Sequence, residues 1–211
     1  MIEINGKTNI DYNCDHIHTE VGIPEPKRSS VDVPLRDGSI DTTAFLSAVP
    51  FYNDREIVVG LELRAMRATW PSMVSTILND IHGKAVTLNI GEDPNWYYIG
   101  HATVNATEDH GSTMGITITV TAQPYKRRRT TTTVYTGSDA DKNITFTVTD
   151  ARGYLEFTCS AANSTVTYDG QTWTLPSGDS EAYGLVLTGG SQTIAIHQTG
   201  SMTIKLRGGS L

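Results

Sequence analysis

Cysteine is scarce in this sequence. The 211 residues hold two, Cys14 and Cys159, too few for a disulfide framework. Their separation places them in different domains as reduced thiols, the default for a protein made in the cytoplasm. Long apolar runs are missing too. None approaches the roughly 20 residues of a membrane-spanning helix, so no membrane insertion is expected. The first residues, Met-Ile-Glu-Ile-Asn-Gly-Lys, lack the charged and apolar regions of a secretory signal, and the Asn-x-Ser/Thr triplets at Asn105, Asn143 and Asn163 therefore carry no weight. Basic charge is also in deficit. A net charge of −7 argues against a specific nucleic-acid partner, whose phosphates want a basic face.

Catalytic constellations are absent as well. Gly178-Asp179-Ser180-Glu181-Ala182 lacks the second glycine and the strand-to-helix setting of a nucleophile elbow. Asp139-x-Asp141-x-Asn143 opens like a calcium loop, but Ile144 stands where glycine is required and Asp150 where glutamate is. Gly83-Lys84 lacks the upstream glycine of a phosphate loop. Glu108-Asp109-His110 reads as a solvated hairpin tip. Cys14, His16 and His18 alternate, so a strand would put them on one face. Neighbours two apart on a strand lie about 6.5–7 Å apart, and no second Cys/His cluster completes a metal site, so a half-buried polar face is the reading. No enzyme activity, cofactor or metal is expected.

What is present is mostly β pattern. Asn5-Gly6 marks a turn. Residues 21–27 read as a loop with two prolines and residues 30–34 as a short strand. Asp37-Gly38 is a second turn dipeptide, and residues 56–66 alternate, with Ile57, Val59, Leu61, Leu63 and Ala65 on one face. One helix follows. Trp70-Pro71 starts it, Met73, Val74, Ile77, Leu78 and Ile81 make its apolar stripe, and His82 and Gly83 close it. Strands over 85–90, 96–107 and 114–122 complete an antiparallel sheet system with a helix laid on it.

Composition changes after Pro124-Tyr125. Lys126-Arg127-Arg128-Arg129, the one basic cluster, reads as a solvated linker or strand edge, with contact to an acidic partner as the sharper alternative. Beyond it the chain is rich in Thr, Ser and Gly. Short runs over 130–135, 144–149, 154–159, 165–168, 172–175, 185–187, 193–197 and 202–207 suggest a small β-sandwich. The domains are placed at 1–129 and 130–211. Trp70, Trp96 and Trp173 are read as core or subunit contacts in preference to sugar platforms.

Laid out in order, these segments resemble the distal tail proteins of long-tailed, non-contractile bacteriophages. Val33-Pro34-Leu35-Arg36-Asp37-Gly38-Ser39-Ile40-Asp41 is similar to the family's V-P-G-R-D-G-x-L-D, departing at Leu35, where many members have glycine. Phe51-Tyr52-Asn53-Asp54-Arg55 resembles its Y-x-N-R, Leu78-Asn79-Asp80-Ile81-His82-Gly83-Lys84 the helix ending in L-H-G-K, and Asp93-Pro94-x-x-Tyr97-Tyr98-x-Gly100 its D-P-x-x-Y-Y-x-G. Pro124-Tyr125-Lys126 and the terminal Arg207-Gly208-Gly209-Ser210-Leu211 resemble the family's domain end and chain end.

The resemblance implies a mainly β chain: an N-terminal β-sandwich with one helix and an extended hairpin, then a small galectin-like β-sandwich. It implies a structural protein of the virion at the distal end of the tail, made in the host cytoplasm. Six copies would close into a ring, in isolation as a back-to-back double ring, and join the tail tube protein to tail-associated lysin, fibre or baseplate proteins. Arg36, Asp37, Gly38, Tyr52, Arg55, Trp96 and Tyr97 are the candidate turn and subunit-interface residues. The alternative is a carbohydrate-binding module that recognises host cell-wall glycan through the C-terminal sandwich, with Trp173 as the candidate contact.

Overall fold

Every strand pairing among the described residues is antiparallel. The structure is a computed structural model, and it describes residues 1–32, 34–35, 37–43, 50–109, 113–138 and 140–211. The chain divides into two compact units: Met1–Pro94 with Tyr98–Pro124, and Asn95–Tyr97 with Tyr125–Leu211.

The first unit contains β1 (Ile2–Ile4), β2 (Lys7–Thr8), β3 (Cys14–Val21), β4 (Ser30–Val31), β5 (Ile40–Asp41), β6 (Arg55–Leu63), helix α1 (Trp70–Ile81), β7 (Ala85–Ile90), most of β8 (Trp96–Asp109) and β9 (Thr113–Ala122). Its main sheet runs in the order β2-β1-β7-β8-β9-β6-β3. Asn5 and Gly6, at φ 50° and 81°, form the two-residue turn between β1 and β2. Both central residues of a type I′ turn need positive φ, which Asn and Gly tolerate best. The alternation expected over 56–66 is borne out, with Ile57, Val59, Leu61 and Leu63 all buried.

β1 and β3 lie towards opposite ends of this strand order, yet Asn9 joins them. Its amide oxygen accepts from the Ile2 N–H at 3.3 Å and its amide nitrogen donates to the Cys14 carbonyl at 2.9 Å. Its own N–H donates to the Ile2 carbonyl, and its carbonyl accepts from the Cys14 N–H. All four hydrogen-bonding groups of one buried residue are spent on the two strands, which closes the sheet around its core. Nothing in the sequence pattern singled out Asn9.

Helix α1 covers that core. Trp70, Ile77 and Ile81 are buried, with Met73, Val74 and Leu78 half-buried beside them, and each fully buried aliphatic side chain contributes about 1.5–3 kcal/mol. Pro71 stands in the first turn, and Gly83 at φ 71° takes the left-handed position after the helix. The Trp70 indole N–H donates to the Ala65 carbonyl at 2.9 Å. His82 departs from the expected dipole cap, because its Nδ1 accepts from the Val104 N–H at 3.0 Å and so ties the helix end to β8. On the other side Asp80 Oδ2 accepts from Lys7 Nζ at 2.7 Å and from the Tyr12 hydroxyl at 2.6 Å. These two bonds, Lys7 first, hold the Asp80 carboxyl below its usual range.

The second unit contains β10 (Lys126–Gly137), β11 (Asp141–Cys159), β12 (Ser164–Tyr168), β13 (Gln171–Leu175), β14 (Gly178–Glu181), β15 (Leu187–His197) and β16 (Met202–Ser210). Residues 144–149 and 154–159, expected as separate strands, belong to the single strand β11. A register shift between Val148 and Arg152 bends it, because the polar Asp150 there is drawn to Arg128 rather than to a turn. Before the bend β11 pairs with β15 in the order β13-β12-β15-β11. After it, β11 lies between β16 and β14, with β10 beyond β16. One strand thus pairs with β15, β16 and β14 along its length, and both halves bury apolar residues, Ile144 and Val148 before the shift and Leu155, Phe157 and Cys159 after it. One further expectation is corrected: residues 185–186 precede β15 rather than forming a strand. Gly178–Glu181 form β14, a strand that the sequence pattern does not mark.

Replacing Asn9 with alanine leaves a buried N–H and a buried carbonyl unpaired and is expected to cost about 2–4 kcal/mol in urea unfolding; a loss below about 0.5 kcal/mol would contradict the closure described here. Asp80 sets a pH dependence. Its folded pKa is depressed, so its contribution is present above the unfolded value of about 4 and is lost as pH falls through the folded value. Asp80 is partly exposed, so solvent screening keeps the effect below about 1 kcal/mol. The stability gap between the wild type and Asp80→Asn should therefore be open at pH 7 and narrow towards pH 3, and a gap that widened on acidification would refute this.

Candidate functional site

The ladder between β3 and β6 does not stop at their ends. Gly22 N–H donates to the Glu56 carbonyl, Asn53 N–H to the Glu25 carbonyl and Lys27 N–H to the Phe51 carbonyl, each at 2.8 Å, and Pro26 bridges to Tyr52. Thr42 N–H donates to the Ser29 carbonyl at 2.8 Å, and β4 then pairs with β5. The proline-containing segment expected as a loop is therefore one side of a two-stranded arm. Prolines fit here because neither backbone nitrogen is needed by a third strand.

The arm and the turn beyond it carry exposed apolar side chains among polar ones. Ile23 is 92% exposed, Phe51 59%, Val31 53% and Leu35 109%. Of residues 22–31 and 50–56 only Pro24 and Arg55 are buried. Leu35, the departure from the family pattern, has φ 67°, a left-handed conformation that costs a non-glycine residue roughly 1–2 kcal/mol. Asp37 and Gly38 are exposed, Gly38 at φ 75°. Val33 and Arg36, a candidate turn and subunit-interface residue, lie outside the described residues.

The arm is anchored at its base by Arg55. The guanidinium is 6% exposed, donates to the Pro124 carbonyl and lies 5.4 Å from the centre of the Tyr98 ring. Its Nε makes no hydrogen bond, and burial lowers its pKa from the ordinary value. Tyr52 is half-buried.

Trp96 and Tyr97 belong to the second unit, where they pair with Arg128 and Arg127 of β10. The basic run expected to be solvated is here paired within the chain. Arg127 donates to both Glu181 oxygens at 3.1 Å and lies 4.2 Å from the Tyr154 ring centre. Arg128 donates to the two Asp150 oxygens at 3.2 and 2.7 Å and lies 4.6 Å from the Trp96 ring centre. Arg207 joins Glu156 and the carbonyls of Arg128 and Arg129, with the Tyr97 ring centre 5.6 Å away. Burial pushes the Tyr97 and Tyr154 phenols up. The acidic partners come from β11 and β14, distant in sequence, which is why the run looked unpaired. The arrangement needs Gly208, where a Cβ would stand 1.7 Å from Asp150 Oδ2.

The remaining sequence candidates do not converge. A register shift between His16 and His18 moves His18 off the face of Cys14 and His16, correcting the expected shared face. Cys14 faces the core, His16 Nε2 is 2.7 Å from Thr19 Oγ1, and the His18 ring lies over Gly60. Among the described residues no three His, Cys, Asp or Glu side chains group to hold a metal ion. Asp141 contacts His197 at 2.7 Å, while Asp139 and His110 lie outside the described residues. Trp173 is half-buried and donates its indole N–H to the Tyr183 carbonyl at 2.9 Å. An open cleft of about 340 Å³, lined by His18, Gly60, Glu62, Thr107, Gly115 and Thr117, lies on the first unit; it had no signature in the sequence.

No protein-family model and no curated protein matches the chain. Among solved structures the chain is similar to the Dit (gp 19.1) protein of phage SPP1, described as a paradigm of the hub adsorption apparatus in phages that infect Gram-positive bacteria. The match covers 100% of this chain and 98% of that one, with a TM-score of 0.61 and 14% identity. At this identity the likeness establishes a shared fold, mainly β over the whole length, as the sequence resemblance implied.

Gly208→Ala is expected to push Asp150 out of its bonds to Arg128 and to lower stability by about 1–3 kcal/mol in urea unfolding; a change within about 0.5 kcal/mol would show that Asp150 does not depend on the glycine.

Proposed function

We propose that this chain is a structural protein of a phage tail tip. Six copies form a ring that joins the tail tube protein to the tail-associated lysin, fibre or baseplate proteins. The full-length likeness to a phage hub protein supports the tail-tip role. The observation that carries self-assembly is the arm. It exposes Ile23, Val31 and Phe51, with Leu35 in the turn beyond, and among the described residues no third strand pairs with 22–31 or 50–54. Side chains of this kind mark a surface that another protein covers. In a ring each copy uses one surface to grip and a different one to be gripped, a head-to-tail contact that closes when the rotation permits.

In this reading residues 1–129 form the ring and residues 130–211 project from it as a galectin-like sandwich. The turn at Asp37-Gly38, with Arg36, and the arm residues Tyr52 and Arg55 shape the contact. Trp96 and Tyr97 hold the start of β8 against β10. The chain works as a component of the virion and the role is architectural, with no reaction to catalyse.

Mass photometry of the pure protein tests the proposal. The wild type should give a species of six copies or a multiple of six. Ile23→Asp combined with Phe51→Asp should give a monomer with an unchanged circular dichroism spectrum, since both side chains are exposed and surface changes leave folding nearly intact. A double variant that assembles as the wild type does would refute the arm as the contact surface.

A further inference from the structure

We propose that the arm, residues 22–31 with residues 50–56, is put in order by assembly and not by the fold of the single chain. The inference rests on the reading that copies of this chain assemble. It concerns the state of the arm before they do.

The argument is one of missing compensation. Ordering a backbone costs conformational entropy at every residue, and burial of apolar surface is the main term that offsets it. In the sheet of the first unit that offset is present: Ile57, Val59 and Leu61 of β6 are each at most 3% exposed. Along the arm it is absent. Pro24 is the only buried apolar residue of the seventeen positions, and Ile23, Val31 and Phe51 stay in water. The cross-strand bonds that define it, at Gly22, Lys27 and Asn53, sit at solvent, where water competes for both partners. Among the described residues no third strand pairs with 22–31 or 50–54, and a two-stranded ribbon with little buried surface is marginal in water. The positive φ of Leu35 adds strain to the ordered form.

The arm nevertheless has a fixed root. Arg55 is held by the Pro124 carbonyl and the Tyr98 ring, and Gly22 lets the chain pass close to Glu56, where a Cβ would meet the carbonyl at 2.7 Å. A ribbon anchored at its base and unsupported beyond it frays from the far end inward. Covering its apolar residues with a second copy supplies the missing burial, so binding and ordering become one event. The consequence is regulatory. Each contact between two copies is weakened by the cost of ordering the arm that makes it, so a single contact is weak and the assembly depends on all of them forming.

Hydrogen exchange read by mass spectrometry, on the full chain diluted to monomer and on the same chain assembled, decides this. In the monomer the Lys27 and Asn53 amides, beyond the root, should exchange within about 10-fold of an unstructured chain, while the β6 amides from Ile57 to Leu61 are slowed by at least about 1,000-fold. On assembly these two arm amides should slow by about 100-fold or more. Arm amides as protected as those of β6 in the monomer would overturn the proposal. So would an arm that still exchanges freely once the copies have assembled. Mass photometry on the same samples keeps the two readings apart: a chain monomeric at every concentration defeats the ring, while fast exchange of its arm upholds the claim that the single chain does not order it.

Discussion

A strand pair with no third strand has two faces and two edges that it cannot cover by itself. Among the described residues that constraint governs 22–31 and 50–54, and the rest of the first unit is arranged to tolerate it. The same two strands that leave the core as the arm are, further along, β3 and β6, with β6 paired on both sides. Their buried ends are fixed by Leu61, Leu63 and Cys14 in the core. The arm is therefore an extension of well-supported strands into a region where support has to come from elsewhere.

Both units solve the problem of sheet ends locally. In the first, Asn9 ties β1 to β3 so that the core closes on itself. In the second, the register shift in β11 lets one strand pair with β15, β16 and β14, and the ion pairs Arg127–Glu181 and Arg128–Asp150 fix the chain near it. Buried or half-buried arginines are costly to desolvate unless their donors are met. Here the carboxylates of β11 and β14 accept from Arg127 Nη1 and from Arg128 Nε and Nη2, and aromatic rings lie over the guanidinium faces. These arginines act as internal fasteners, which accounts for a basic run in an acidic protein without any external acid.

Much of this was legible in the sequence where the signal is local and periodic. The β6 alternation, the α1 stripe between Pro71 and Gly83, and the turn at Asn5-Gly6 rest on neighbours within a few residues, and the structure bears them out. The mainly β fold followed from them and from the order of the family-like segments. Pairing across long separations was not legible. The arm pairs residues 22–27 with 51–56 without alternation, because neither face is buried. The bulge at Ile17 inserts one residue and turns His18 away, an event that no composition encodes. Asn9 is one asparagine among several, and its role exists only where two distant strands meet. β11 looked like two strands because Asp150 interrupts its apolar rhythm, while in the fold that residue is the partner of Arg128. Among the site candidates, Arg55 is tied to Tyr98, and Trp96 and Tyr97 are tied to the arginines of β10. Arg36 falls outside the described residues.

The central claim is that the exposed apolar arm is covered by another copy of the same chain. Electron cryomicroscopy of the assembled protein, at a resolution that shows side chains, tests it most directly. The account predicts a ring in which Ile23 and Phe51 of each copy are buried against its neighbour. A ring in which those two side chains face solvent, with the copies joined through some other surface, would contradict it.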